Sequence, residues 1–317
     1  MNPALRIVDA AVESAELPIP NGWFAILSSR ELKKKAVRPV RAFGKELVAF
    51  RGDDGRVTVL DAHCPHLGAH MGYGGKVVGD ELQCPFHAWR FDKGGHCTHV
   101  PFAKKLPVAR TRCWQVHETG GLIFVHHDRT GAPPATPPPD LSMFARWTRP
   151  IEDRSEYRGH PIEAAENVID AGHFVYFHGA REPAALDFSA NGATASMKTA
   201  FALGGLLSGV TAQMAVELYG PGLLFVRTKL LVDVVVITTP LPIEPGRTLF
   251  RMSVVAEKPR WFPLFGRIAA EIIRRRAAYD AKHERAIWEH KVYVPAPRLS
   301  SVDRHIQPFR RWYAQFL

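Results

Sequence analysis

Between Gly22 and about Gly131 the apolar positions fall in short blocks separated by turn signals, the pattern of β-strands. Residues 46–50 and 57–60 flank Asp53-Asp54-Gly55, and residues 114–116 and 122–125 flank Thr119-Gly120-Gly121, so each pair reads as a hairpin. The run Ala132-Pro133-Pro134-Ala135-Thr136-Pro137-Pro138-Pro139 follows and reads as a stiff, polyproline-like linker. Beyond it the pattern mixes two periods. Residues 164–178 read as a helix, 223–239 and 248–255 as β-rich runs joined through a Pro-Gly turn, and 268–291 as a long C-terminal helix. Leu230, Val232, Val234 and Val236 alternate as expected of an antiparallel sheet that buries one face and leaves a cavity. The expected architecture is α+β. An N-terminal segment (1–21) precedes an all-β domain (22–131), a Pro-rich linker (132–149) and an α+β domain (150–317) with a curved antiparallel sheet and a C-terminal helix.

Composition supports two folded domains, since 317 residues with 46% hydrophobic content, seven Trp and eighteen Phe supply ample core. No apolar run reaches the length of a membrane span, and the N-terminus lacks a signal-peptide core, so a cytoplasmic chain is expected. Four Cys in this length argue against a disulfide framework. The net charge of +10 fits solvated faces first and docking of an acidic redox partner second. With basic residues scattered and no nucleic-acid module beside them, no nucleic-acid partner is expected.

Two loops of the all-β region carry the first chemistry. Cys64-Pro65-His66 is followed, after seventeen intervening residues, by Cys84-Pro85-Phe86-His87. Two thiolates and two imidazoles in that order suit a Rieske [2Fe–2S] cluster, with Cys64 and Cys84 on the inner iron and His66 and His87 on the outer one. Tetrahedral zinc is the competing use, but zinc fingers pair Cys with Cys and His with His, whereas each loop here offers one of each. Pro65, Gly68, Gly72, Gly74, Gly75 and Pro85 allow the tight turns that aim main-chain N–H groups at sulfur. Trp89 and Phe91 stand ready to shield one flank of the histidines, and Cys97 and Cys113 are left as packed or surface thiols.

The second constellation lies in Glu166-Asn167-Val168-Ile169-Asp170-Ala171-Gly172-His173-Phe174-Val175-Tyr176-Phe177-His178. Asp170 and His173 are three apart and share a helix face, whereas His173 and His178 are five apart, separated by about 140° of helical rotation. To meet at one metal, the helix must end, widen or bulge between them, and Gly172 makes such distortion cheaper. Two histidines need one carboxylate to complete the triad of non-haem Fe(II) oxygenases. Asp280 and Glu284, one turn apart just before Ile287-Trp288, both qualify on spacing, and an exposed helix laced with i,i+4 charges is the competing reading.

Over nearly its whole length the chain resembles the Rieske non-haem iron oxygenases. The resemblance is carried by Cys64, His66, Cys84 and His87, by Asp170-x-x-His173-x-x-x-x-His178, and by Ile287-Trp288-Glu289-His290-Lys291 with Phe309-Arg310-Arg311-Trp312-Tyr313-x-Gln315-Phe316. Cys64-Pro65-His66-Leu67-Gly68-Ala69, Cys84-Pro85-Phe86-His87-Ala88-Trp89-Arg90 and the stretch from Val100-Pro101-Phe102-Ala103 to His126-His127-Asp128 look like the steroid and sterol oxygenases. These are the 3-ketosteroid 9α-hydroxylase oxygenase components, Neverland-type cholesterol 7-desaturases and bacterial sterol C-4 demethylases.

The resemblance implies a terminal oxygenase component. One Rieske cluster and one mononuclear Fe(II) per chain would use O2, with electrons from NAD(P)H through a separate ferredoxin or flavin reductase, to oxidise a C–H bond of a steroid or sterol. It implies iron ligation by His173, His178 and Glu284, with Asp280 as understudy, because these enzymes usually place an aspartate three residues before the Ile-Trp pair. It also implies that Asp170 bridges a cluster histidine of a neighbouring subunit to an iron-ligand histidine within a homotrimer; Asn167 is grouped with Asp170 as a candidate catalytic residue. Ala88 stands where many members have Gly or Asp.

Hydroxylation, desaturation and oxidative demethylation all begin with hydrogen abstraction and stay open, as does another hydrophobic or aromatic substrate. The runs 201–207 and 223–236 are candidate cavity walls, and 260–268, aromatic and flanked by arginines, is a candidate membrane-facing entrance. A Rieske electron carrier and an iron-free sterol-binding protein are the readings from other classes. The long second domain with its own histidine pair weighs against both.

Overall fold

The computed structural model describes residues 15–182, 185–202, 211–229, 232–260 and 262–317. Among these residues the N-terminal half holds ten strands: β1 (Gly22–Ser28), β2 (Val37–Ala42), β3 (Lys45–Arg51), β4 (Val57–Asp61), β5 (Lys76–Val78), β6 (Glu81–Gln83), β7 (Arg90–Phe91), β8 (Cys97–His99), β9 (Val116–Thr119) and β10 (Leu122–His127). They form three antiparallel sheets, β1-β10-β9, β2-β3-β4 and β5-β6-β7-β8. Both expected hairpins are present, as β3/β4 and β9/β10. The second begins at Val116 because Trp114 is used differently: its amide donates to Val59 O, and its ring is buried against Phe43.

The C-terminal half is built on one seven-stranded antiparallel sheet. Its strands are β11 (Ile151–Arg158), β12 (Ala185–Asn191), β13 (Thr194–Ala202), β14 (Thr211–Tyr219), β15 (Leu224–Lys229), β16 (Asp233–Glu244) and β17 (Arg247–Ala256), in the order β11-β17-β16-β15-β14-β13-β12. The alternation along β16 predicted one buried face, but both are covered. Val234 and Val236 pack with Val254, Ala269 and Ala270, while Val235 and Ile237 pack with Val255, Phe124 and Phe144. The reason is that the N-terminal domain lies on the face opposite α3 (Pro263–Trp288), so the strand becomes a continuous buried run from Val234 to Ile243.

Backbone and charge knit this junction. The amides of Phe43 and Gly44, in the turn between β2 and β3, donate to Pro242 O and Ile243 O at 2.8 and 2.7 Å. Both turn residues have positive φ, 58° and 68°, as a two-residue hairpin of this twist requires, and the Phe43 ring is held by Phe24, Trp114 and His127. Arg251 of β17, fully buried, donates to Glu31 and Glu152.

The expected helix over 164–178 is two helices, α1 (Ile162–Asn167) and α2 (Ala171–Tyr176). Asp170 divides them. Its backbone is extended (φ −85°, ψ 105°) and its Oδ1 accepts from the amides of Gly172 and His173, which makes it the N-cap of α2. The long helix α3 starts five residues before the expected point and ends three before it. A further helix, α4 (Ile306–Tyr313), buries Ile306, Phe309, Trp312 and Tyr313 on one face against the end of the sheet. The side chains of 201–207, together with Leu230 and Trp261, lie outside the described residues. No described helix is long and apolar enough to cross a membrane.

Candidate functional site

The two loops that carry Cys64-His66 and Cys84-His87 are held at the tip of the β5-β6-β7-β8 sheet and bring their side chains together. Cys64 and Cys84 are both buried, and the His66 and His87 rings lie 4.7 Å apart. The tight turns are real constraints. Gly68 has φ 76°, and a Cβ on Gly75 would stand 2.1 Å from Met71 O. Trp89 stacks on His66 at 4.3 Å and 10°, as the expected shield, whereas Phe91 is buried in the core beneath the cysteines. His87 is exposed, so one edge of the group reaches solvent.

The donors fit an iron–sulfur cluster on two observations. Nδ1 of His66 is buried with no hydrogen-bond partner among the described residues, an arrangement that is costly unless something binds it. Burial first, and then the neighbouring Cys84, lift the Cys64 thiol to about 11 against the opposing pull of the His66 amide, so two thiolates here need positive charge between them. Cys97 and Cys113 are free thiols packed at the edge of the same core.

In the second domain the chain turn after α2 does what a regular helix would not. The helix ends at Tyr176 with Phe177 as C-cap, and His178 swings back until its ring lies 5.0 Å from that of His173. Gly172 sits in the first turn of α2, and the distortion lies beyond it. From α3, Glu284 places Oε1 2.8 Å from Nε2 of His173 and 3.7 Å from Nε2 of His178. One ligand atom from each residue falls within 4.8 Å of the others, the one such group of three among the described residues. Two imidazoles and a carboxylate converging at a cavity wall are the donor set of a non-haem Fe(II) site, and they fit one.

Asp280 stands one turn away and contacts the opposite side of His178, with Oδ2 3.3 Å from Nδ1 and 2.9 Å from Nε of Arg276. It orients the ring from behind. The i,i+4 spacing of Arg276 and Asp280 is legible in sequence, but the contact with His178 is not. His173 is held on its other face by Phe177, stacked at 4.6 Å and 18°.

Two hollows meet at this group. The larger, about 790 Å3, lies between the sheet, α1, α2 and α3; apolar side chains such as Val168, Met214, Leu224, Phe250 and Ile273 dominate its wall, and His173, His178 and Glu284 are part of the same wall. The smaller, about 330 Å3, opens on the outer side, bordered by Asp170, Tyr176, Ile287 and Lys291. Asn167 borders both.

A buried charge network beneath the outer hollow was not foreseen from the sequence. Arg310 of α4 makes a bidentate pair with Glu166 at 2.6 and 2.9 Å and also donates to Val294 O, and Lys291 pairs with Glu163. Burial pushes the Glu163 carboxyl up, and Lys291 pulls against that shift. Two acids three apart beside Ile162, Ala164 and Ala165 in one short helix were the available signal.

With the geometry established, comparison with known proteins is specific. The Rieske [2Fe-2S] domain matches residues 22–111, and the 3-ketosteroid 9alpha-hydroxylase C-terminal domain matches residues 125–317. The chain is 31% identical to the cholesterol 7-desaturase nvd of Bombyx mori, over 94% of this chain and 70% of that one. It is also 31% identical to a probable 3-ketosteroid-9-alpha-monooxygenase oxygenase component of Rhodococcus rhodochrous, over 93% of this chain and 79% of that one. Its fold is that of dicamba monooxygenase bound to 3,6 dichlorosalicylic acid, with a TM-score of 0.76 at 19% identity over 95% and 98% of the two chains.

Proposed function

The chain belongs to the Rieske oxygenases whose catalytic half is the 3-ketosteroid 9alpha-hydroxylase C-terminal domain, and from that premise we propose that it oxidises a C–H bond of a steroid or sterol. The observation that carries this reading is the apolar cavity of about 790 Å3 whose wall includes His173, His178 and Glu284. Its size lies within the roughly 300–1,000 Å3 of pockets that engulf a hydrophobic small molecule. The relatives named for 3-ketosteroid and cholesterol oxidation support the substrate class.

In this reading Cys64, Cys84, His66 and His87 hold the cluster, and His173, His178 and Glu284 hold the mononuclear iron. The two metal centres supply single-electron transfer and dioxygen activation when bound. The protein does the rest. Asp280 fixes the ring of His178, Phe177 fixes that of His173, and the apolar wall excludes water while presenting one edge of the substrate to the three ligands. Asp170, which borders the outer hollow beside His173, serves the electron path from the cluster of a neighbouring subunit in a homotrimer, with Asn167 positioned between the hollows. A separate reductase or ferredoxin delivers the electrons, as the oxygenase-component relatives suggest. The division into a cluster domain (22–131), linker (132–149) and catalytic domain (150–317), and a cytoplasmic location, complete the reading.

Oxygen uptake with a reductase supplied, across a panel of sterols, 3-ketosteroids and aromatic acids, tests it. Uptake coupled to a sterol or 3-ketosteroid product is expected. Coupled turnover of aromatic acids alone would overturn the substrate class.

A further inference from the structure

The outward face of α3 carries apolar side chains that the core does not use. Leu264, Ile268, Ile272 and Tyr279 fall within about 80° of one another around the helix axis, and all four are exposed, Leu264 by 55% and Ile272 by 58%. Phe262, just before the helix, is exposed beside them. Ile272 also lines the large cavity, together with Ile273 and Arg276, so the exposed stripe runs into the wall of the pocket.

Charge surrounds the stripe. Between residues 257 and 283 there are seven Lys and Arg against three Asp and Glu. Arg267, Arg275 and Arg276 are exposed along the helix; Glu271 bonds Arg274 and Arg275, and Asp280 bonds Arg276, which leaves Lys258, Arg260, Arg267 and Lys282 against the single acid Glu257, a cationic excess. Arg275 and Lys282 fall within the same arc as the stripe and Arg267 and Arg276 border it, and exposed apolar side chains interleaved with basic ones are the composition of a helix lying in the headgroup layer of a membrane. A second copy of the same face would set like charges against each other, whereas an anionic surface is complementary to them.

We propose that this face of α3 docks the protein on an anionic lipid surface, with Leu264 and Ile268 entering the apolar layer and the cavity wall at Ile272 turned toward the bilayer. The inference rests on the reading of a hydrophobic substrate, which would then pass from lipid to pocket without crossing water.

Flotation of the full chain, with its cluster assembled, on vesicles of phosphatidylcholine and phosphatidylglycerol tests it, with pure phosphatidylcholine as comparison. The parent is expected to float with the anionic vesicles and to be released as salt rises from about 0.1 to 0.5 M. Leu264→Ser with Ile268→Ser, and separately Arg267→Glu with Arg275→Glu, should each lower the bound fraction about fivefold or more, with cluster absorption and gel-filtration volume unchanged. A parent that stays with neither vesicle, or variants that bind like the parent, would overturn the proposal. So would a shift in oligomeric state in the Leu264/Ile268 variant, which would make the face a protein interface. Oxygen uptake with detergent-dispersed steroid reports on the substrate reading independently, since it needs no vesicle.

Discussion

Nε2 of His173 and Oε1 of Glu284 lie 2.8 Å apart although 111 residues separate them in the chain. Glu284→Ala should therefore empty the mononuclear site while the cluster spectrum persists, and Glu284→Asp, with a shorter arm, should keep part of the iron and part of the activity. Asp280→Ala should lower iron affinity by roughly 10-fold or more, because it removes the carboxylate behind His178. Iron content per chain by metal analysis checks all three; an empty site in Asp280→Ala beside a loaded one in Glu284→Ala would reassign the ligand.

Replacing Cys84 by Ser should abolish the absorption and EPR signals of the cluster, since a hydroxyl is a poor soft ligand for iron. His173→Ala should do the opposite, leaving those signals and removing turnover. Total iron separates the two variants, with about three atoms per chain expected in the parent and two in His173→Ala.

Asp170→Asn offers a clean separation of structure from charge. Asparagine caps a helix about as well as aspartate, so α2 and both metal centres should survive. The carboxylate is lost, and cluster oxidation in a single turnover should slow. Asp170→Ala should in addition lower stability by about 1 kcal/mol through loss of the cap. Unchanged single-turnover rates in Asp170→Asn would remove Asp170 from the electron path.

Ala88 has φ 56°, a left-handed backbone that side chains other than glycine enter at a cost. Ala88→Gly should raise the unfolding free energy by about 0.5–1 kcal/mol, seen as a higher midpoint in a denaturant titration, without altering the cluster spectrum. A lower midpoint would show that the Ala88 methyl packs usefully against the loop.

Acid should weaken the junction between the domains. Burial alone would raise the Glu31 carboxyl, but hydrogen bonds from Arg154 and the Ser28 amide, with the charge of Arg251, hold it at about 2 against an ordinary 4.5. A carboxylate depressed in the folded state contributes stability that is complete above its unfolded value and lost as pH falls through the folded one. Stability should thus decline between pH 4.5 and 2, and Glu31→Gln should flatten that part of the curve, as thermal melts across the range would show.

Local chemistry was legible in the amino-acid sequence. The cluster loops are short, their Cys and His lie two or three residues apart, and turn glycines around them encode the geometry, so both the motif and the order of an all-β domain before an α+β domain could be read directly. His173 and His178 announced a problem for a regular helix, and spacing alone showed that the helix had to give way between them. What spacing left open was settled by packing. Asp280 and Glu284 sit one turn apart on α3, and only the seating of that helix against α2 turns Glu284 toward both Nε2 atoms and Asp280 toward the back of His178. The division at Asp170 likewise depends on its side chain bonding to two amides instead of standing on a helix face. The double burial of β16 depends on a domain that precedes it by more than a hundred residues. Contacts of that separation leave no periodic trace in the segments that make them, because each segment records only that it is apolar and not what will cover it.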